Sequence, residues 1–582
     1  MKKTVQQKLS QTLQKRILIV AVCFLIAFLA IVTKSAYLQV FQSSWLSDKA
    51  ARQYEQNISI APSRGTIFDR NQVELAVTID TVSVAAYPQW MLETDKKEIA
   101  KTLAQILKLP EQEVIQKLSG KRFVWIKRQT SPMETLALEK LKLKGVEFIP
   151  EYSRFYPNRN LAGQLIGFVG IDGRGLEGIE YSYNEFLEGE KEDLVILRDA
   201  LGQHFDANSV RFKSGNDVYL TIDRNIQYIT ESALKTAVEK YNAESGMAMV
   251  MEPSTGNILA MANVPLLNPN AYNKADKSTW RNHCVTDVFE PGSTIKIFNV
   301  SIALESDKFT PSTKIFCENG QYKIGPNTIH DTHSYGWLTL SEVLEKSSNI
   351  GFVKIAQTLG AEKQYDGLKR FGFAQKTNIP CPAETTGMLR NYKNWVPIDM
   401  ATISFGQGIS VSTIQLTTAL NAIANNGVMM KPRLITKVVS PEGKILQKIE
   451  PTVIRRVLSK ETAQQTTAMM RGVVVGGTGK SAAIEGYTTC GKTGTAQRPT
   501  KSGNYKGGGY IASFIGFAPA ENPEIAVVVA INGPRGQYYG GVVAAPVFRQ
   551  IVVETLGYMG VRPQQLKKDA PQFGSQQSSV LD

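Results

Sequence analysis

Sixteen consecutive apolar residues, Ile17 to Val32, follow a stretch carrying Lys2, Lys3, Lys8, Lys15 and Arg16 and no acidic residue. An uninterrupted run of this kind behind a basic flank is poorly suited to a soluble helix, which needs one polar face. As a helix, sixteen residues span about 24 Å, short of the ~30 Å hydrocarbon layer of a bilayer. Thr33 and snorkelling by Arg16 and Lys34 close that gap. A cleaved signal peptide would need small residues at the −3 and −1 positions. Ala36 has Lys34 at −3 and Ala30 has Phe28, so an uncleaved single-pass anchor over 17–34 is expected. The basic segment 1–16 then stays in the cytoplasm and everything after Lys34 lies outside.

Length and charge narrow the remainder. A chain of 582 residues implies two to four domains. The formal net charge of +14 suits an anionic partner. Zinc-finger spacing, RNP-like aromatic motifs and long basic runs are missing, so nucleic acid is not expected. An anionic membrane or an anionic cell-wall polymer fits the same charge. The five cysteines, Cys23, Cys284, Cys317, Cys381 and Cys490, form no CxxC pair. Neither a zinc framework nor a disulfide scaffold is expected, and no bridge is predicted.

From 35 to 216 helical patterns (97–119 around Leu109-Pro110, and 133–143) alternate with β-prone runs (Val82–Tyr87, Gly145–Pro150). Loops around Arg64–Asn71, Arg154–Asn158 and Gly175–Glu180 carry Arg and acidic residues suited to ion-paired packing between segments. Nothing here pairs a nucleophile with a base, so this half reads as a rigid spacer. After Ser214-Gly215-Asn216 the texture changes. Asp217–Ile222 reads as a strand, Arg224–Tyr241 as an amphipathic helix, and Gly246–Glu252 with Ile258–Ala262 as a strand pair. Helical patterns dominate to about Asn425. Tyr510–Ala518 and Glu524–Asn532 then form a hairpin, followed by a closing helix over Ala544–Leu556. Strands at both ends with helices between predict one sheet assembled from the two termini of 217–562, with an all-helical lobe inserted. The Gln/Ser-rich segment 563–582 reads as a disordered tail.

Three motifs carry chemistry. Pro291-Gly292 is a turn signal, and the apolar run to Leu304 predicts a buried helix starting near Ser293. Lys296 lies three residues on, on the same helix face, as a base within reach of the Ser293 hydroxyl. Ser-x-x-Lys also occurs at Ser232–Lys235 in an ordinary helix pattern, so the motif needs company. Ser347-Ser348-Asn349 follows 54 residues after Ser293, between two helical patterns. Lys492-Thr493-Gly494-Thr495 begins 199 residues after Ser293, following the β-prone run Tyr487–Cys490. Gly491 and Gly494 let a substrate backbone approach that strand closely. Gly486–Thr493 also satisfies the phosphate-loop pattern GxxxxGK[ST]. A phosphate loop must open a helix, whereas Gly494-Thr495-Ala496-Gln497-Arg498-Pro499 cannot, so nucleotide binding is not expected. His330-Asp331-Thr332-His333 lacks a third ligand and reads as part of a cleft, so no metal is expected.

In this order the motifs resemble the penicillin-recognising serine acyltransferases, a family that shares Ser-x-x-Lys, Ser-x-Asn and Lys-Thr-Gly. The segments Arg64–Asn71, Arg154–Pro157 and Gly175–Glu180 resemble the pedestal of class B, monofunctional penicillin-binding proteins, although Asn71-Gln72 stands where the family usually shows Asn-Gly. Ser404–Ser412, Gly476–Gly479 and Tyr538–Gly541 look like the division-specific branch. The resemblance implies an α+β fold: a pedestal of the dimerisation type (35–216) and a transpeptidase domain (217–562) of the serine β-lactamase-like class, behind one transmembrane helix. It also implies the roles. Ser293 attacks the carbonyl between two D-alanines of a peptidoglycan stem peptide, and D-alanine leaves. Lys296 is the base. Ser347 relays the proton and Asn349 holds Lys296 and the substrate amide. Lys492, Thr493, Gly494 and Thr495 bind the terminal carboxylate, and the backbone N–H groups of Ser293 and Thr495 form the oxyanion hole. Only about one free lysine in a thousand is neutral near pH 7.4, so desolvation and Lys492 must depress the Lys296 pKa.

No cofactor is implied. The implied partners are donor and acceptor stem peptides, β-lactams, the membrane, and division-complex proteins including a polytopic glycan polymerase. Alternatives are an elongation-type transpeptidase, a β-lactam sensor or β-lactamase, and a mainly structural division scaffold. The absence of an evident carboxylate for activating water favours transfer over β-lactam hydrolysis.

Overall fold

The computed structural model describes residues 2–60, 63–120, 123–189, 192–197, 214–498, 505 and 507–563. Past Pro563, the expected tail lies outside the described residues. The chain divides into two compact units, Met1–Pro62 with Glu190–Lys213, and Ser63–Gly189 with Ser214–Asp582.

The first unit holds a helix over Lys2–Val40 whose segment Leu13–Val40 is long and apolar enough to cross a membrane. This helix runs past Lys34, where the apolar run had set the end of the anchor. Loss of hydrophobicity does not break a helix, and no Gly or Pro occurs before Pro62. Further on, Glu55–Ile60 pairs antiparallel with Glu192–Leu197.

In the second unit the long strand Glu74–Ala86 pairs along its length with Val146–Phe155. Helices Lys96–Leu107 and Glu111–Leu118 break at Leu109-Pro110 and bury Leu103, Leu107, Val114 and Leu118 in a separate small core with Val84 and Ile126. Asp217–Leu220 lies parallel to Ile67–Phe68 on one side and antiparallel to Ile435–Val439 on the other. The residues on either side of Ser214 therefore share one seven-stranded sheet. Buried ion pairs tie together the segments around it. Glu180 accepts from Arg64 Nε at 2.5 Å and from Arg154 Nε at 2.7 Å, and its side chain is fully buried.

A second, five-stranded antiparallel sheet comprises β1 (Ser245–Met251), β2 (Ile258–Val264), β3 (Cys490–Gln497), β4 (Tyr510–Ala518) and β5 (Ile525–Asn532), in the order β3-β4-β5-β1-β2. It is thus assembled from segments more than two hundred residues apart. Its strands are apolar on both faces because both faces are covered. Ala248, Val250, Val527 and Val529 join the core with helix α1 (Arg224–Lys240) and the closing helix Ala545–Tyr558. The alternate residues Met247, Met249, Val528 and Ala530 pack on the other side with the two central helices. These are α2 (Lys296–Glu305), buried from Lys296 to Leu304, and α5 (Thr413–Ala424), buried at every position. Between them lie α3 (Leu340–Glu345) and α4 (Asn349–Leu359). The inserted lobe also carries two short ribbons, Lys314–Phe316 with Trp337–Thr339 and Gln321–Ile324 with Asn327–His330. Their strands of three or four residues are too short for an alternation pattern to register.

Candidate active site

Ser293 sits in a single 3-10 turn, Gly292–Ile295, and the α-helix proper begins at Lys296. The turn is fixed from both ends. The Gly292 N–H donates to the Gly406 carbonyl at 3.1 Å, and the Thr294 hydroxyl donates to the Pro291 carbonyl at 2.7 Å. Gly292 has φ +53°, and a Cβ there would press on Ala496 and the Thr495 carbonyl of β3. The Ser293 turn and the strand are therefore packed backbone to backbone. Ser293 itself is half-buried.

One turn deeper, Lys296 is completely buried. Its Nζ donates to the Ser347 carbonyl at 2.8 Å, the Asn349 Oδ1 at 2.7 Å and the Ser347 Oγ at 3.2 Å, and lies 5.5 Å from the Phe352 ring centroid. Ser-x-x-Lys and Ser-x-Asn are thus joined through one ammonium nitrogen. The decoy pair behaves otherwise: the Lys235 side chain is 52% exposed. Burial drives the Lys296 pKa well below that of an ordinary lysine, the charge of Lys492 drives it further, and Asp331 partly opposes both. Lys492 is equally buried, and burial alone lowers its pKa to about 7. Its Nζ donates to the Thr493 carbonyl at 3.2 Å and hydroxyl at 3.3 Å. Lys492 lies within β3, where it pairs with Ile515 of β4. The strand runs on through Thr493 to Gln497, where a phosphate loop would open a helix, and this removes the phosphate-loop reading.

The Ser347 backbone is held at φ +58°, a left-handed conformation costing roughly 1 kcal/mol or more for a residue with a Cβ. This turn carries the chain from α3 to α4 and aims both the carbonyl and the hydroxyl of Ser347 at Lys296. Asn349 opens α4, and its Nδ2 donates to the His330 carbonyl at 3.0 Å. Asp331 is the residue that sequence reasoning missed in this role. Its carboxylate accepts from the Ser348 hydroxyl at 2.5 Å and from the backbone N–H groups of Asn349 and Ile350. It caps α4 from eighteen positions upstream. Helix caps are recognised in sequence by their nearness to the helix start, so no local signal marked it. Among the described residues no group of three or more His, Cys, Asp or Glu is placed to hold a metal.

On β3, the Thr493 hydroxyl lies 2.8 Å from that of Thr478, and the Thr495 hydroxyl accepts from the Gly540 N–H at 3.0 Å. The segments Gly476–Gly479 and Tyr538–Gly541 therefore flank the Lys-Thr-Gly strand. At Gly494 a Cβ would fall 2.7 Å from the Thr294 methyl and 3.1 Å from the Pro291 carbonyl, and closer still to the Ser513 hydroxyl. A half-buried hydroxyl, a fully buried and depressed lysine, a second hydroxyl on that lysine and a strand edge with a second buried lysine are the parts that serine acyl transfer calls for.

Known proteins resemble this chain over most of its length. The sequence model of the penicillin binding protein transpeptidase domain matches residues 246–553, and that of the penicillin-binding protein dimerisation domain matches residues 59–220. The probable peptidoglycan D,D-transpeptidase PenA of Neisseria meningitidis is 36% identical over 96% of this chain and 95% of its own length. The peptidoglycan D,D-transpeptidase FtsI of Escherichia coli is 34% identical over 94% of this chain and 92% of its own. Among solved structures, penicillin binding protein 3 of Mycobacterium tuberculosis complexed with ampicillin superposes with a TM-score of 0.69 at 28% identity, covering 88% of this chain and 98% of that one. By its pedestal, its transpeptidase domain and its three motifs in one site, the chain belongs to the class B penicillin-binding proteins.

Proposed function

We propose that this protein is a peptidoglycan D,D-transpeptidase that cross-links stem peptides at the division septum through an acyl-enzyme on Ser293, and that β-lactams acylate the same serine. The observation that carries this reading is Lys296: buried, depressed in pKa, one turn from Ser293 and bonded to Ser347 and Asn349. Neutral Lys296 takes the Ser293 proton as Oγ attacks the D-Ala–D-Ala carbonyl. The backbone N–H groups of Ser293 and Thr495 receive the developing oxyanion. Lys492, Thr493 and Thr495, on a strand kept open by Gly494, hold the terminal carboxylate. Ser347 passes the proton to the departing D-alanine. An amine of a neighbouring stem then replaces water as the second nucleophile.

The apolar segment Leu13–Val40 behind its basic flank supports a single-pass anchor in the inner membrane of a bacterial cell, with the N-terminus in the cytoplasm and the catalytic domain outside. Division rather than elongation is favoured by Ser404–Ser412, Gly476–Gly479 and Tyr538–Gly541, the last two of which border β3. The missing glycan polymerase is supplied by a polytopic partner of the division complex. Fluorescent penicillin tests the central claim. Covalent labelling lost in Ser293→Ala is expected, rapid drug turnover would indicate a β-lactamase, and no labelling of the unaltered protein would refute the acyl-enzyme. Mid-cell imaging separates septal from lateral action, and a reporter fused after residue 60 should be active only outside the membrane.

A further inference from the structure

The segment leading into the Ser293 turn, Phe289 and Glu290, lines a cavity of about 260 Å³ whose charged lining is His283, Asp287, Glu290 and Arg498, with Gln497 of β3 among its residues. Three of these charges are internally balanced. Asp287 is paired with Arg281 and accepts from His283 Nδ1 at 2.8 Å. Arg498 forks onto Glu244 at 2.7 and 3.0 Å. Glu290 differs. It is half-buried, and among the described residues its carboxylate receives only neutral donors, the Gly408 N–H at 2.8 Å and the Tyr505 hydroxyl at 2.9 Å. Among the described residues no cation pairs with it. A carboxylate drawn partly out of water without a counter-charge is an unfavourable arrangement unless a cation arrives to complete it.

Its position says which cation. Glu290 stands three residues before Ser293, and one backbone clamp holds both. The Gly406 carbonyl fixes the Gly292 N–H, and two residues on the Gly408 N–H fixes Glu290. Gln497, in the cavity lining, is two residues beyond Thr495 on the same face of β3. The acyl-transfer reading requires a primary amine at this place in its second half-reaction, and in water that amine is an ammonium ion.

We infer that Glu290 and the cavity beside it are the acceptor subsite, binding the side-chain ammonium of the incoming stem peptide next to the Ser293 ester. This inference rests on the acyl-transfer reading. The bound ammonium sheds one proton to solvent. The resulting amine forms the new C–N bond at the acyl carbon, the ester C–Oγ bond breaks, and the second amine proton passes through Lys296 to Ser293 Oγ. Glu290 acts by attraction and positioning and takes no part in the first acylation.

The test uses full-length detergent-solubilised protein, a thioester donor peptide, and a synthetic stem peptide with one free side-chain amine as acceptor. Its N-acetylated counterpart serves as control. Fluorescent penicillin labelling is measured in parallel. In Glu290→Gln the acceptor concentration for half-maximal transfer should rise about tenfold or more, penicillin acylation should stay within about twofold, and the acyl-enzyme should partition towards hydrolysis. Glu290→Asp should recover part of the acceptor affinity. Transfer unchanged in Glu290→Gln, or penicillin acylation falling in parallel with transfer, would overturn the inference. Failure of the unaltered protein to label would instead refute the acyl-transfer reading beneath it.

Discussion

Gly494→Ala offers a direct test of how tightly the nucleophile turn and the substrate strand are coupled. The added methyl would stand 2.7 Å from the Thr294 methyl, against an ordinary carbon–carbon separation of about 3.5–4.0 Å, so one partner must retreat by roughly 1 Å. The Ser513 hydroxyl and the Pro291 carbonyl also lie too close to admit it freely. The strand therefore moves away from Ser293 as a unit. Overpacking of this kind costs about 1–3 kcal/mol of stability. A displacement of about 1 Å between reacting groups costs on the order of a hundredfold in rate. Stopped-flow labelling with fluorescent penicillin should therefore show acylation slowed by about two orders of magnitude in a protein that still melts cooperatively. Ser513→Ala added to Gly494→Ala should recover only part of the rate, because the Thr294 methyl remains. Acylation within about threefold of the unaltered protein would refute the coupling.

Glu180→Gln should destabilise the second unit by about 3–5 kcal/mol, read from denaturant unfolding, since Arg64 and Arg154 would be left buried without their anion. Burial raises the Glu180 pKa but the two guanidinium groups more than offset it, so its contribution is present at neutral pH and is lost as pH falls through its lowered native pKa. Lys492, neutral above about pH 7 when folded and protonated to about pH 10.4 when unfolded, should make stability rise with pH between those values. Lys492→Met should flatten that slope and, by removing a positive charge from beside Lys296, move the alkaline-activated limb of the acylation profile to higher pH. An unchanged limb would remove Lys492 from the tuning of the base. Asp331→Ala frees the start of α4 and should slow acylation about tenfold with a loss of about 1 kcal/mol in stability, measured by labelling and thermal melts.

The family was legible in the sequence because its motifs keep rigid local spacings. Ser293 and Lys296 had to share a helix face, and the glycines around Lys492 announced a strand that something must approach. The strand pairs at either end of residues 217–562 were readable too, since Val528-like positions are apolar on both faces. What the sequence hid depends on tertiary company. Burial separates Lys296 from Lys235, although both close a Ser-x-x-Lys motif. Asp331 and Glu290 act on backbone far away in the chain, and Ser347 adopts a left-handed conformation that its residue type does not advertise. Asp217–Ile222 reads in the sequence as the opening strand of the catalytic half, and the structure forms it over Asp217–Leu220. Nothing local revealed that its other neighbour would be Ile67–Phe68.

The five-stranded sheet has a consequence for the order of events during synthesis. Strands β1 and β2 leave the ribosome well over two hundred residues before β3, and β1 then waits for β5 as its neighbour. Such long-range pairing is slow, and unpaired edges remain exposed meanwhile. Ser293, Lys296, Ser347 and Asn349 are all made before Lys492, whose charge helps to depress Lys296 and whose strand walls the turn. On the proposed mechanism the site is therefore completed only once Lys492 and its strand have been made. A protein stalled anywhere before residue 490 would carry the nucleophile in an unarmed state, so the acylating activity itself reports that the catalytic sheet has closed.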